Sequence, residues 1–306
     1  MPEPIIATPA PLSKKAIFFR RLISFTILWT VVISALFSGH KALSDYVFLA
    51  IILLLAVSGL MEFYGMVQRL HYACYPKLGL CGGVLLILFT FVCVSGQFGS
   101  RPVTPSRMND RETMFLILFV LGLCLRQFMS RRVSTGIIAI STTLFGLMYV
   151  PWLLNFIQKI NFFGQAGVEG AYYVLYFVLV TKFSDCGAYA VGSLIGKHKM
   201  IPRISPGKTW EGFGGAVVVS TAASVLCARL AGSHLAGMTL THSIILGVIL
   251  SLSAVVGDLI ESLFKREAGL KDSGHLFPGI GGILDLLDSL LFNAPIMYLY
   301  LRHVLT

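Results

Sequence analysis

The sequence predicts an all-α, polytopic membrane bundle of about nine transmembrane helices with a cytoplasmic N-terminus, and three observations carry that expectation. The 306 residues are 56% hydrophobic and 12% charged, with a mean hydropathy of +0.81. Soluble domains are about 25% charged, so half of the charge that would cover a water-facing surface is missing, whereas a lipid-facing surface needs none. Apolar stretches recur along the whole chain, and the cations in the loops between them are unevenly divided.

A complete crossing takes about 17–25 mainly apolar residues. Nine stretches approach or meet this, at 22–39, 46–61, 79–95, 113–125, 134–157, 170–184, 213–230, 242–257 and 289–304. Lys and Arg concentrate in cytoplasmic loops. With nine spans, 17 of the 24 Lys and Arg residues fall on the N-terminal side. The N-terminus is therefore expected inside and the C-terminus outside. The first span follows Lys14, Lys15, Arg20 and Arg21 but lacks a small-residue cleavage site, so it reads as a retained anchor rather than a signal peptide.

The net charge of +10 does not imply a nucleic-acid partner, because the cations lie in short loops where sorting by charge explains most of them. The six cysteines form no CxxC pair and read as small apolar residues. Polar chemistry is concentrated late in the chain. Residues 1–165 read as a transmembrane scaffold, and residues 166–306 as a catalytic region carrying two polar, glycine-rich inserts at 182–215 and 257–289. Both inserts fall on the expected cytoplasmic side.

In the second insert, a helix continuing past Val256 would put Asp258, Glu261, Ser262 and Lys265 on one face. After the break Pro278-Gly279-Ile280-Gly281-Gly282, a second helix is expected near Ile283, with Asp285, Asp288 and Ser289 sharing a face. Ionisable groups at membrane depth are costly and mark functional sites by default. Carboxylates without His or Cys partners suit a hard cation such as Mg²⁺, which shares its shell with substrate phosphates. A solvated amphipathic loop with helix caps would show the same spacing. In the first insert, Asp185 closes an apolar span. Ser205-Pro206 reads as a helix start with Ser as N-cap, beside the cations Lys197, Lys199, Arg203 and Lys208. Gly207-Lys208-Thr209 is not a P-loop, since Pro202 stands where the earlier glycine is required.

These residues together resemble the phosphatidate cytidylyltransferase (CDP-diacylglycerol synthase) family. Ser262, Lys265, Arg266, Lys271, Asp272, Gly274, Gly281, Gly282, Asp285 and Asp288 match its signature. Asp185, Gly187, Ala188, Tyr189, Gly192, Gly196 to Lys199, Ser205, Pro206, Lys208, Thr209, Glu211 and Gly212 match its upstream segment. The likeness covers roughly the last 125 residues. Two positions depart from the pattern, Ile280 where the family often has His and Leu286 where it often has Arg.

The resemblance implies transfer of the cytidylyl group of CTP to phosphatidic acid, giving CDP-diacylglycerol and pyrophosphate with Mg²⁺ as cofactor. It would take place in a bacterial cytoplasmic (inner) membrane, with the active site facing the cytoplasm. It makes Asp258 and Asp285 the best metal ligands and Asp288 a third. It assigns catalysis to Asp258, Asp285, Lys265, Lys271 and Asp272, and substrate binding to Lys208, Ser205, Asp185, Arg266, Gly281 and Gly282. His275 reads as a hydrogen-bonding loop residue. Besides CTP, phosphatidic acid and the bilayer, a homodimer is left open.

Other readings are a CTP-dependent polyprenol kinase, a cytidylyltransferase for another lipid phosphate, and, remotely, an ion-coupled transporter. The transporter would call for an inverted repeat that the two inserts do not show. The CDP-alcohol phosphotransferase pattern is rejected because Ser289-Leu290-Leu291 follows Asp288.

Overall fold

The computed structural model describes residues 29–306 apart from 35, 38, 97–104, 131–133, 164–167 and 275–280. The start of the first expected span, the cations Lys14, Lys15, Arg20, Arg21, Arg101, Arg131 and Arg132, and His275, Gly279 and Ile280 lie outside the described residues.

A helical stretch at 29–34 precedes α1 (Lys41–Arg69), α2 (Pro76–Ser95), α3 (Pro105–Phe128), α4 (Gly136–Asn161) and α5 (Gly170–Ile195). A two-stranded antiparallel ribbon follows, β1 (Lys199–Ile201) and β2 (Ser205–Thr209), then α6 (Trp210–Ala231), α7 (Leu240–Glu267) and α8 (Ile283–Tyr300). The eight expected spans from 46–61 onward fall on these helices, and only part of the first lies among the described residues. Among the described residues, seven helices are long and apolar enough to cross a membrane. The chain is thus a multi-pass helical membrane protein.

The expected span at 113–125 lies in α3, whose first half carries Arg107, Asp110, Arg111 and Glu112. Glu112 is buried and ion-paired with the equally buried Lys159 of α4, and it also accepts from Asn155 Nδ2 at 2.7 Å. Its second half turns Ile117, Leu118, Leu121 and Leu125 outward. Outward apolar residues of this kind are unsuited to water and suited to lipid. Within α4, Pro151 cannot donate to the helix ladder, and the helix accommodates it as a wide turn at Met148–Trp152.

The main hydrophobic core runs from Leu36 to Leu301 and draws on both sequence regions, with a smaller cluster at Cys93, Val94 and Met108. Small residues set the approach of α5 to α6. A Cβ on Gly187 would lie 2.7 Å from the Gly215 carbonyl oxygen and from Val219 Cβ. Small residues at helix contacts let backbones approach in this way where lipid offers no hydrophobic drive. Serine hydroxyls add interhelical bonds, with Ser220 Oγ donating toward Val180 O at 3.2 Å and Gly247 O at 3.1 Å. All six cysteines are free, but Cys81, Cys124 and Cys186 are exposed and only Cys93 is buried.

The ribbon corrects the expected helix start at Ser205. Ser205 pairs with Ile201 and Thr209 with Lys199, so the segment is extended. The residue before a proline is biased away from helix, and the helix begins at Trp210 instead. There Thr209 Oγ1 caps the Gly212 amide at 3.1 Å, and Glu211 accepts from the Lys197 and His198 amides at 3.2 Å each.

The close α5–α6 approach gives a direct test. Gly187→Val should lower the thermal stability of the detergent-solubilised protein by about 1–3 kcal/mol through overpacking. Gly214→Ala, where an added Cβ meets nothing within 4 Å, should leave stability unchanged or slightly higher.

Candidate active site and metal centre

The last turns of α7 and the first turns of α8 meet at the end of the bundle expected to face the cytoplasm. Gly257 makes the meeting possible, since a Cβ there would lie 2.6 Å from the Asp288 carbonyl oxygen. With the backbones this close, Asp258 and Glu261 of α7 and Asp288 of α8 offer carboxylate oxygens within 4.8 Å of one another. A fourth carboxylate, Asp185, arrives from α5. The Ser289 hydroxyl donates to Asp288 Oδ1 at 2.9 Å and lies 3.4 Å from Asp185 Oδ1. Asp185 also interacts electrostatically with both Asp258 and Asp288.

Two lysines brace the cluster. Lys208, on β2, places Nζ 2.8 Å from Asp258 Oδ2 and 3.3 Å from the Val255 carbonyl oxygen. Lys265 ion-pairs with the fully buried Glu261 and with Asp285 Oδ1 at 2.6 Å. Glu261 Oε1 has no hydrogen-bond donor among the described residues. A buried carboxylate oxygen without a donor, in an all-oxygen group, fits a hard divalent cation.

Asp285 is engaged differently from the way the sequence suggests. Its Oδ1 meets Lys265, and its Oδ2 accepts from Gly282 N at 2.8 Å and from Ser273 N and Oγ at 3.0 Å each. It therefore closes the first turn of α8 and pins the preceding loop, while Glu261 stands in the carboxylate group. Gly281 adopts φ +105°, a backbone conformation that favours glycine, and directs the chain into that turn.

The N-terminus of α8 is capped by a residue from the first half of the chain. Glu62 of α1 accepts from Ile283 N at 2.9 Å, Leu284 N at 2.8 Å and Ser273 Oγ at 2.9 Å. A carboxylate satisfies the orphan amides of a helix start and is favoured by its dipole. Sequence reasoning left Glu62 out. It is the one carboxylate between Tyr46 and Gln68 in an apolar helix, which is itself a signal of function.

A cavity of about 520 Å³ opens over the cluster. Asp185, Ser205, Lys208, Asp258, Asp285 and Asp288 line it, together with Tyr189 and the glycines of α5 and α6. Lys265, Arg266, Lys271, Asp272, Gly281 and Gly282 do not. Arg266 braces the ribbon, its Nε donating to Ile204 O at 3.3 Å, and Lys271 and Asp272 are exposed in the α7–α8 loop. The cavity falls within the about 300–1,000 Å³ typical of ligand sites.

A model described as the cytidylyltransferase family matches residues 19–304. A phosphatidate cytidylyltransferase of Mycobacterium leprae is 40% identical over 158 residues, 52% of this chain and 48% of the relative. A phosphatidate cytidylyltransferase of Staphylococcus aureus strain COL is 45% identical over 142 residues, 46% of this chain and 53% of the relative. An uncharacterized protein, YnbB, of Escherichia coli is 36% identical over 161 residues, 53% of this chain and 51% of that protein. The chain thus spans about half the length of the curated relatives it matches.

The Glu62 cap is open to measurement. Glu62→Ala removes the acceptor for two helix amides and a hydroxyl, and should cost about 1–3 kcal/mol in thermal unfolding. Glu62→Gln, which keeps one carbonyl oxygen, should cost less. Wild-type stability in Glu62→Ala would remove the capping role.

Proposed function

The chain belongs to the cytidylyltransferase family, and from that premise we propose that it transfers the cytidylyl group of CTP to phosphatidic acid, with Mg²⁺ as cofactor. The observation that carries the proposal is the meeting of Asp258, Glu261 and Asp288 within 4.8 Å, with Asp258 and Asp288 lining a cavity that Lys208 and Ser205 also line and Glu261 buried behind them. The named relatives support the choice of phosphatidic acid as acceptor.

In the reaction a phosphatidate oxygen attacks the α-phosphorus of CTP, forming a P–O bond. The bond to the β-phosphate breaks, and pyrophosphate departs with the electron pair. Such transfers need positioning and charge neutralisation more than covalent help from the protein. Asp258, Asp288 and Glu261 would hold the metal, with Asp185 at their edge. Mg²⁺, when bound, supplies Lewis-acid neutralisation of phosphate charge.

Lys208 exchanges part of its pairing with Asp258 for the triphosphate, for which its position on the ribbon beside the cavity suits it. Lys265 keeps Glu261 and Asp285 in place, so its effect on the reaction is through these carboxylates. Asp285, Gly281 and Gly282 set the first turn of α8 and thus the position of Asp288. Arg266 positions the ribbon and, through it, Lys208 and Ser205. Lys271, exposed in the α7–α8 loop, is left the role of meeting phosphate as it arrives, while the Asp272 carboxylate beside it would repel phosphate and takes no part in that step.

The lysine-rich loops support a cytoplasmic-facing site in a bacterial inner membrane. CTP would then enter from water while the lipid stays in its leaflet.

The test is incubation of the purified protein with phosphatidic acid, Mg²⁺ and CTP labelled at either the α- or the γ-phosphate. α-Label is expected in a lipid product that is CDP-diacylglycerol, and γ-label in pyrophosphate. γ-Label in the lipid would instead make the protein a lipid kinase. Asp258→Ala and Asp288→Ala should each lower the rate at least about 100-fold, on the scale of losing a charge-stabilising group, with membrane insertion intact. Full activity in either variant would reject the metal assignment.

A further inference from the structure

A second cavity, of about 170 Å³, lies on the other side of the first turns of α8. Its wall is apolar, formed by residues such as Trp29, Leu36, Ile52, Val178, Leu286 and Leu290. Lys182 is the one charged residue among those lining it. Helix periodicity explains the partition. On α8, Asp285, Asp288 and Ser289 face the polar cavity, while Leu286, Leu287 and Leu290 face the apolar one. On α5, Val174, Val178 and Lys182 line the apolar cavity at i, i+4 and i+8, and Asp185, Ala188 and Tyr189 line the polar one.

Lys182 stands where the two meet. Its Nζ donates to the Leu286 carbonyl oxygen at 3.1 Å and lies 3.5 Å from Asp185 Oδ2. It also interacts electrostatically with Asp288. An ammonium has three donors, so this one retains capacity for an anion. Its side chain is about a quarter exposed. Leu286 occupies the position where the family signature often has Arg. Here that residue contributes apolar wall, and the positive charge is brought to its carbonyl oxygen from α5 instead.

We propose that the apolar cavity receives part of an acyl chain of phosphatidate, the rest extending into the bilayer, and that Lys182 holds the lipid phosphate beside the carboxylate cluster. This deepens the cytidylyltransferase reading and rests on it for the identity of the lipid. The chemistry of the wall matches such a ligand at both ends. A hydrocarbon slot closed by a lysine matches an acyl chain that carries an anionic single-phosphate headgroup. The phosphate so held is adjacent to Asp185 and Asp288, on the side from which it would meet a nucleotide in the polar cavity.

Two measurements test this, one with turnover and one without. In steady-state assays of the full chain, Lys182→Leu should raise the KM for phosphatidate at least about tenfold, the scale of one charge-assisted contact. The KM for CTP should stay unchanged, and Lys182→Arg should keep most of the phosphatidate affinity. Val178→Trp, which fills the slot, should lower kcat/KM for a dipalmitoyl substrate while sparing a dibutyryl one.

Without turnover, Trp29 reports on the cavity directly. The chain has three tryptophans, so Trp152→Phe with Trp210→Phe leaves Trp29 alone. Phosphatidate brominated on its acyl chains should quench Trp29 more strongly than brominated phosphatidylcholine, and Lys182→Leu should abolish the difference. Equal quenching by the two lipids, or an unchanged phosphatidate KM in Lys182→Leu, would overturn the proposal. Selective quenching in a protein that makes no CDP-diacylglycerol would uphold the lipid site and reject the cytidylyltransferase reading.

Discussion

The structure depends on holding several carboxylates together at the end of an apolar bundle. Asp258, Glu261 and Asp288 converge within 4.8 Å, Asp185 adjoins them, and Glu261 is wholly buried. Like charges in such a place repel, and removing them from water costs several kcal/mol per ion unless partners compensate. The compensation is only partial. Lys208 reaches Asp258, and one lysine, Lys265, is shared between Glu261 and Asp285. Lys182 pairs with Asp185 at 3.5 Å. The cluster is therefore left with excess negative charge and a buried oxygen without a donor, which is the electrostatic condition for recruiting a cation together with the phosphates it carries.

Not every carboxylate in the region contributes to that excess. Glu62 is satisfied by two backbone amides at the start of α8, and Asp285 by a lysine and two amides, with the single Ser273 hydroxyl proton shared between the two carboxylates. These two side chains fix where α8 begins and hold Ser273 against it. The position of Asp288, one turn further on, follows from that anchor and from Gly257, which lets α7 touch α8 backbone. The acidic residues thus divide into those that set geometry through backbone amides and those that face one another across the gap.

Much of this was legible in the sequence. The helical, multi-pass character followed from hydropathy, because helix surface that faces lipid must be apolar. The start of α8 at Ile283 followed from the glycine-proline break, and the common face of Asp258, Glu261 and Lys265 from helical spacing. Spacing could not tell Asp285 from Asp288. Both lie on one helix three residues apart, and only the fold of the 271–274 segment and the reach of Lys265 decide that the first is occupied. The Ser205-Pro206 helix start failed because the ribbon pairing with residues 199–201 competes for the same backbone, and pairing is not local. Glu62 was missed because its partners lie more than 200 residues away.

The contribution of Glu62 bears on how the two sequence regions relate. An N-terminal half that only anchored the protein would need no specific polar contact with the chemical half. Instead, α1 places a carboxylate on the first turn of α8, and the same helix supplies Ile52 to the apolar cavity beside Lys182. Because the hydrophobic core is continuous across both regions, a shift of α1 would move the start of α8, and with it Asp288 on one side and Leu286 on the other. The carboxylate cluster and the apolar slot are two faces of one helix turn, so one carboxylate from the first half sets the geometry of both.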